Sequence, residues 1–369
     1  MKALWFEDAK RYIETAASDP SLLSSIGDNP FLNDMERELE RFLGLPKRRA
    51  VAVSSATAGL TATLRALGIR EGDEVILPAL SWGQTLSPIL EVGASPLFVD
   101  LEKGGVNLDL SRTETAITKR TKAILAAELF GIPLNWEKLD EIAQKYGVFT
   151  IVDAAQSFGA SHQGPWPTAV VFSFGRGKQV CGGEGGAVVV SDERTYDALL
   201  ITTQHPIRVL QNSLSDLPFE LVDSVAPNAR IHPFSAALIT SEIRRLRENL
   251  HESRKLISQA REILSQMGLQ PVPLPPGTAQ APPLIPLMTD RGERLREICR
   301  RYGWRLEKNS RKPLPMLPSV KMKRYLPALL YLGFPTKRIK LRHTSKRYPQ
   351  TMRCSEQLYL IHLDGRMKR

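Results

Sequence analysis

VDAAQSFGA (152–160) and FSFGRGKQVCGGEGGAVVV (172–190) are the two stretches whose reading decides the fold. In the first, an apolar run rich in β-branched residues ends in Asp153, as a buried strand would end at the rim of a sheet. A carboxylate taken out of water costs several kcal/mol unless it is paired, so Asp153 at a strand end calls for a cation or for the N–H groups of a helix start. Gln156, three residues on, is polar enough to bond a ligand hydroxyl or to sit in an ordinary loop. In the second stretch a strand ends in Ser173, a glycine-punctuated turn presents Lys178, and GGEGG leads back into an apolar strand. A lysine in a tight, mostly apolar pocket loses its preference for charge and becomes a nucleophile toward carbonyls; a phosphate-binding lysine is the other reading. It is not the lysine of a P-loop, because Gln179 follows it where Ser or Thr would stand.

Outward from these stretches the same grammar repeats. VILP (75–78), PLFVDL (96–101), KAILAAELF (122–130), AVVFSF (169–174) and GAVVVS (186–191) are short apolar runs, with helical periodicity between them in AGLTATLRALG and WEKLDEIAQKYG. Continuous apolar strands alternating with helices predict a mainly parallel sheet covered on both faces, which binds ligands at the C-terminal ends of its strands. Two further pieces fall at such ends. VSSATAGL (53–60) places small residues before a helix, so the backbone N–H groups of Thr57 and Ala58 are candidates to hold a phosphate. PALSWGQT (78–85) puts Trp82 directly after a strand, as core, as interface or as a flat partner for a flat ring. A protonated pyridine nitrogen for Asp153, an aldehyde for Lys178, a phosphate for Thr57 and Ala58 and a ring face for Trp82 together meet the needs of a phosphorylated pyridine aldehyde.

The chain has 369 residues, 42% of them hydrophobic, enough for a large domain and a smaller one. It carries no run of about 18 apolar residues and opens on the charged MKALWFEDAKRYIE, so the sequence places it in the cytoplasm. Cys181, Cys299 and Cys354 are scattered, which suggests neither a disulfide framework nor a metal site. The net charge of +11 is local: residues 301–369 hold 18 Lys/Arg against 3 Asp/Glu. That basic end is either a solvated face or a face for an anion, whether a phosphorylated substrate or an anionic membrane surface; no nucleic-acid partner is expected. From about residue 236 a long helical pattern leads to the Pro-rich PVPLPPGTAQAPPLIPL (271–287), read as a loop entering an edge strand at LIPLM. Residues 1–245 are therefore expected as a large cofactor-binding domain and 246–369 as a smaller, basic C-terminal α+β domain.

The order VSSATAGL, LPALSW, GASPLFVD, VDAAQSFGA, FSFGRGKQVCGGEGGAVV closely resembles the DegT/DnrJ/EryC1/StrS aminotransferases over roughly residues 25 to 245. The resemblance implies the fold type I of pyridoxal 5'-phosphate (PLP) dependent transferases, with a mainly parallel seven-stranded sheet. It implies Lys178 as the Schiff-base lysine and Asp153 on the pyridine nitrogen as the catalytic pair. It further implies Trp82 on the ring face, Gln156 near the ring hydroxyl, and Ser173 with Thr57 and Ala58 at the phosphate. PNARIHPFSAALI (227–239) resembles the family's Asn-aromatic-Arg segment, which implies that Asn228 reaches the phosphate of a neighbouring subunit in a homodimer with shared active sites. Ala56, Ala229 and Cys181 depart from the family's usual residues, and the C-terminal third matches only loosely.

The resemblance implies an aminotransferase that takes an amino group from glutamate or glutamine, with pyridoxamine 5'-phosphate as the intermediate form, and gives it to a keto sugar, nucleotide-linked or free. Arg176, Arg208 and Arg230 are candidates for a donor carboxylate or an acceptor phosphate, since the guanidinium fork matches both. The alternatives are other chemistry or a non-sugar substrate on the same fold, and a PLP-binding protein without catalysis. Related sugar dehydratases carry histidine at the lysine position, and Lys178 stands against that reading.

Overall fold

The computed structural model describes residues 4–46, 49–218, 222, 227–317 and 348–363. Seven strands, β1 (Ala50–Val53), β2 (Glu74–Pro78), β3 (Ser95–Val99), β4 (Thr121–Ala127), β5 (Phe149–Asp153), β6 (Ala169–Ser173) and β7 (Gly186–Val190), form one sheet in the order β1-β7-β6-β5-β4-β2-β3. The β2–β3, β2–β4 and β5–β6 pairs are parallel, while β7 runs antiparallel to both β6 and β1. The expected mainly parallel seven-stranded sheet is therefore present. β1, AVAV, is a strand that the reading of apolar runs does not include; four residues are too few to show a period.

By contact density the chain forms two compact units. The first comprises residues 1–70, 151–156 and 166–249. Its helices include α1 (Leu4–Ser18), α2 (Pro30–Leu43) and α3 (Ala56–Ala66). Helix α2 begins at the N-cap Asn29, whose side chain accepts from Phe31 N–H, has Pro30 at its start and stops at Gly44 in the left-handed conformation. β1 lies at the edge of the sheet, and α2 supplies it with acceptors. Glu40 Oε1 accepts from the N–H groups of Arg49 (2.8 Å) and Ala50 (3.1 Å), and Glu36 Oε1 accepts from Ala52 N–H (2.8 Å). Four residues of helix rise about 6 Å and two residues of strand about 6.8 Å, so carboxylates one turn apart match alternate amides of the strand. An unpaired edge that invites another strand is thus closed. Glu36 is itself held by Arg208, whose Nη2 lies 2.9 and 2.8 Å from its two oxygens.

The second unit comprises residues 71–150, 157–165 and 250–369. It contains a three-stranded antiparallel sheet in which Leu358–His362 lies between Leu284–Met288 and Arg305–Lys308. LIPLM is an edge strand there, as the proline before it predicts. One face of this sheet packs Ile285, Leu287 and Ile361 with Leu295, Ile298 and Trp304. A second cluster gathers Leu80, Leu101, Phe130, Val272, Cys354 and Leu360.

Candidate functional site

Strand register brings most of the expected residues of the first unit to one sheet edge. Val53 pairs with Gly186, Gly186 with Ser173, and Asp153 with Val171, two residues before Ser173. The ends of β1, β5 and β6 and the start of β7 therefore lie side by side. Beyond β6, Phe174 N–H donates to Gly185 O and Gly182 N–H to Phe174 O, both at 2.9 Å, so the base of the turn is pinned. Lys178 sits inside that turn, half-buried, its N–H on Gly175 O at 3.3 Å. Asp153 is half-buried at the tip of β5, where its Oδ1 accepts from Ala155 N–H at 3.2 Å. Gln156 follows in the turn beyond it.

Helix α3 starts at the same edge. Gly59 faces the sheet so closely that a Cβ there would stand 2.8 Å from Val188 and 3.2 Å from Val171 and Val53. A Cβ on Gly186 would come within 2.7 Å of Ala56 N and Ser55 C. Both glycines are what let the helix N-terminus, with its partial positive charge, press onto the strand ends. Of the two amides expected to hold a phosphate, that of Ala58 already donates to the N-cap hydroxyl of Ser55 at 3.1 Å. Ser55 is the N-cap of α3, which the sequence reading did not single out, although a serine two residues before Thr57 was the available signal.

The arginine candidates separate. Arg208 is withdrawn as a ligand-binding candidate: its side chain is 1% exposed, matched by Glu36, and Nη1 donates to Gln204 Oε1 at 2.8 Å. Arg230 is half-buried and donates through Nε to Asn228 Oδ1 at 2.8 Å, and Arg176 is exposed. Asn228 is exposed too, and its neighbour Ala229 accepts from Ser54 N–H at 2.7 Å, which ties the segment to the end of β1.

In the second unit Trp82 caps the helix Gly83–Glu91 and is 44% exposed. The guanidinium carbon of Arg311 lies 3.7 Å from its ring centre. Nearby in sequence to the strand end of β4, Glu128 is fully buried. It accepts from Leu134 N–H (2.9 Å), Trp136 Nε1–H (3.1 Å), the Ser157 hydroxyl and His162 Nε2 (2.8 Å), and the His162 ring stacks on Trp136 at 3.9 Å. Burial works against charge on Glu128, yet His162 and the N–H and O–H donors together hold its carboxyl below the usual range. Most of the basic C-terminal segment lies outside the described residues. No helix among the described residues is long and apolar enough to cross a membrane.

Comparison with known proteins supplies the context. Residues 13–301 match the sequence profile of the DegT/DnrJ/EryC1/StrS aminotransferase family. A curated relative, the L-glutamine:2-deoxy-scyllo-inosose aminotransferase of Streptomyces fradiae, is 33% identical over 240 residues, covering 62% of this chain; the matched part is 55% of that relative's length. Among solved structures, a DegT/DnrJ/EryC1/StrS aminotransferase from Brucella abortus superposes with a TM-score of 0.76 at 22% identity, over 96% of this chain and 90% of that one. A sugar aminotransferase from Streptococcus pneumoniae in its PMP form gives 0.74 at 22%, over 97% and 90%. These structural likenesses establish the expected fold.

Proposed function

Since the chain belongs to the DegT/DnrJ/EryC1/StrS aminotransferase family, we propose that it is a PLP-dependent aminotransferase that moves an amino group from glutamate or glutamine to a keto sugar, nucleotide-linked or free. The observation that carries this reading is the convergence of Asp153, Ser173, the Lys178 turn and the N-terminus of α3 on one sheet edge. The close approach that Gly186 permits sets the N-terminus of α3 against the strand ends, and a helix N-terminus favours a phosphate. PLP supplies a carbonyl carbon that exchanges with amines and a pyridine ring that withdraws electrons.

The chain's own residues then divide the work. Thr57, Ala58 and the Ser173 hydroxyl hold the phosphate at the helix start, where N–H groups and the helix dipole favour a dianion. Asp153 keeps a positive charge on the ring nitrogen by pairing with it, as a half-buried carboxylate does best. Gln156 would bond the ring hydroxyl, and Trp82 would supply an aromatic face for the ring. Lys178 Nζ is the covalent anchor at rest and takes up and returns the proton during amino transfer. Asn228 contributes to the phosphate site of a second copy, so the active form is a cytoplasmic homodimer, with residues 1–245 as its cofactor-binding domain and 246–369 as its smaller domain. The relative from Streptomyces fradiae, named for an inosose acceptor and a glutamine donor, supports a polyhydroxylated keto acceptor.

Borohydride treatment of the PLP-loaded protein followed by peptide mapping tests the assignment. The pyridoxyl group is expected on Lys178, and the absorption band of the loaded protein is expected to change on addition of glutamine or glutamate. A label on another lysine, or wild-type turnover by Lys178→Ala, would refute it.

A further inference from the structure

Arg208 spends its guanidinium inside the first unit, where it is wholly buried. Its Nη2 lies 2.9 and 2.8 Å from the two oxygens of Glu36, and its Nη1 donates to Gln204 Oε1 at 2.8 Å. Burial by itself works against charge on the guanidinium, and the Glu36 carboxylate reverses that, so the group stays a cation. Gln204, 5% exposed, passes the hold on: its Nε2 donates to Ala52 O at 3.2 Å and to Thr203 Oγ1 at 3.1 Å.

The register of β1 shows what is being held. Neighbouring residues of a strand turn their backbone groups to opposite sides, and in β1 the even-numbered ones turn away from β7. Ala50 N–H goes to Glu40 and Ala52 N–H to Glu36, while Ala52 O receives Gln204. Ser54 continues the alternation: its N–H donates to Ala229 O at 2.7 Å, and Ala229 N–H donates to Thr203 O at 3.2 Å. The bonds at residue 52 therefore lead to Glu36 and Gln204, and the bond at residue 54 leads through Ala229 to Thr203, the neighbour of Gln204. Arg208 is the group that joins the two sides. One residue beyond Ser54, Ser55 caps α3 by accepting from Ala58 N–H.

We propose that Arg208 is a positioning residue for the cofactor's phosphate. By joining Glu36 to Gln204 it fixes Ala52 at both its N–H and its C=O and steadies the Thr203–Ala229–Ser54 chain of bonds, so that the first amides of α3 keep the place where a phosphate meets them. The proposal rests on the reading of Thr57, Ala58 and Ser173 as the phosphate site. Arg208 acts through the backbone and touches no ligand itself. Direction matters here, because a hydrogen bond weakens steeply once its donor tilts, and a bidentate guanidinium–carboxylate pair sets angle as well as distance.

Equilibrium dialysis with PLP and with pyridoxal, which keeps the ring and the aldehyde and lacks the phosphate, tests this, alongside thermal melting of the cofactor-free protein. The wild type is expected to hold PLP more tightly than pyridoxal. Arg208→Lys keeps a cation for Glu36 and loses the fork. Gln204→Met removes the amide's bonds and leaves the Arg208–Glu36 pair in place, so it serves even where the lysine variant fails to fold. In each variant PLP affinity is expected to fall by about tenfold, the scale of one charge-assisted hydrogen bond, with pyridoxal affinity unchanged. A fall shared equally by PLP and pyridoxal, or a preference for PLP as large as that of the wild type, overturns the proposal and leaves Arg208 as scaffold alone. Equal binding of the two by the wild type would instead dismiss the phosphate reading, and the proposal with it.

Discussion

Two polar clusters flank Phe130 in the second unit, and they are built to opposite ends. Around Glu128 every donor finds an acceptor: a backbone amide, an indole, a hydroxyl and an imidazole close on one carboxylate. Around Arg311 donors outnumber acceptors, and the aromatic beside it is exposed where Trp136 is buried. Completed internally, a buried charge is scaffold; one that forms no ion pair among the described residues holds less of the fold together. The two clusters should therefore respond in opposite ways to the same kind of change.

The largest effect is expected at the closed cluster. Glu128→Leu strands the donors of Ser157, Trp136 and His162, and its cost, read from urea unfolding, should be about 3–5 kcal/mol, the range for breaking a buried pair. Next in size is Gly186→Ala, whose methyl would meet the start of α3 at 2.7 Å; overpacking of about 1–3 kcal/mol is expected, together with weakened PLP binding in equilibrium dialysis. The pH dependence follows from Glu128. Its folded carboxyl titrates below its unfolded value, so the unfolded chain binds the extra proton and the stabilisation, present above the unfolded pKa, is lost as pH falls through the folded one. Urea midpoints across the acid range should slope upward with pH, and the slope should be shallower in Glu128→Gln. The smallest effect is expected at the open cluster: Arg311→Gln should change stability by less than about 1 kcal/mol, as Arg311 forms no ion pair among the described residues. A stability loss as large as that of Glu128→Leu would show that Arg311 is scaffold as well, and the contrast would collapse.

How much of this was legible in the sequence depends on distance along the chain. The strands from β2 to β7 were legible because each buries both faces and so reads as an apolar run. Asp153, Ser173 and Lys178 were legible because each stands where such a run stops. The roles of Glu36 and Glu40 were not. In NDMERELERFLG they look like a solvated helical face, and only the placement of β1 beside them turns them inward. Arg208 misled for the same reason: its partner lies 172 residues away, and no local pattern announces it. Arg311 was hidden in a run of basic residues whose count says nothing of which one lies on an indole.

The edge of β1 carries a final consequence for rewriting the protein. Glu36 and Glu40 grip the strand by its amide groups and not by its side chains, so the hold is indifferent to what residues 50 and 52 are, provided that they keep an N–H and fit the buried space. Valine or serine at those places would leave every bond in place, whereas proline would remove one of the strand's bonds to the carboxylates. Inserting a single residue between Glu36 and Glu40 would turn one carboxylate about 100° away from the strand and uncover half the edge. The strand's text is replaceable and the helix's spacing is not, so a redesign that preserves the look of the sheet while shifting the helix would give the edge back to whatever strand arrives first.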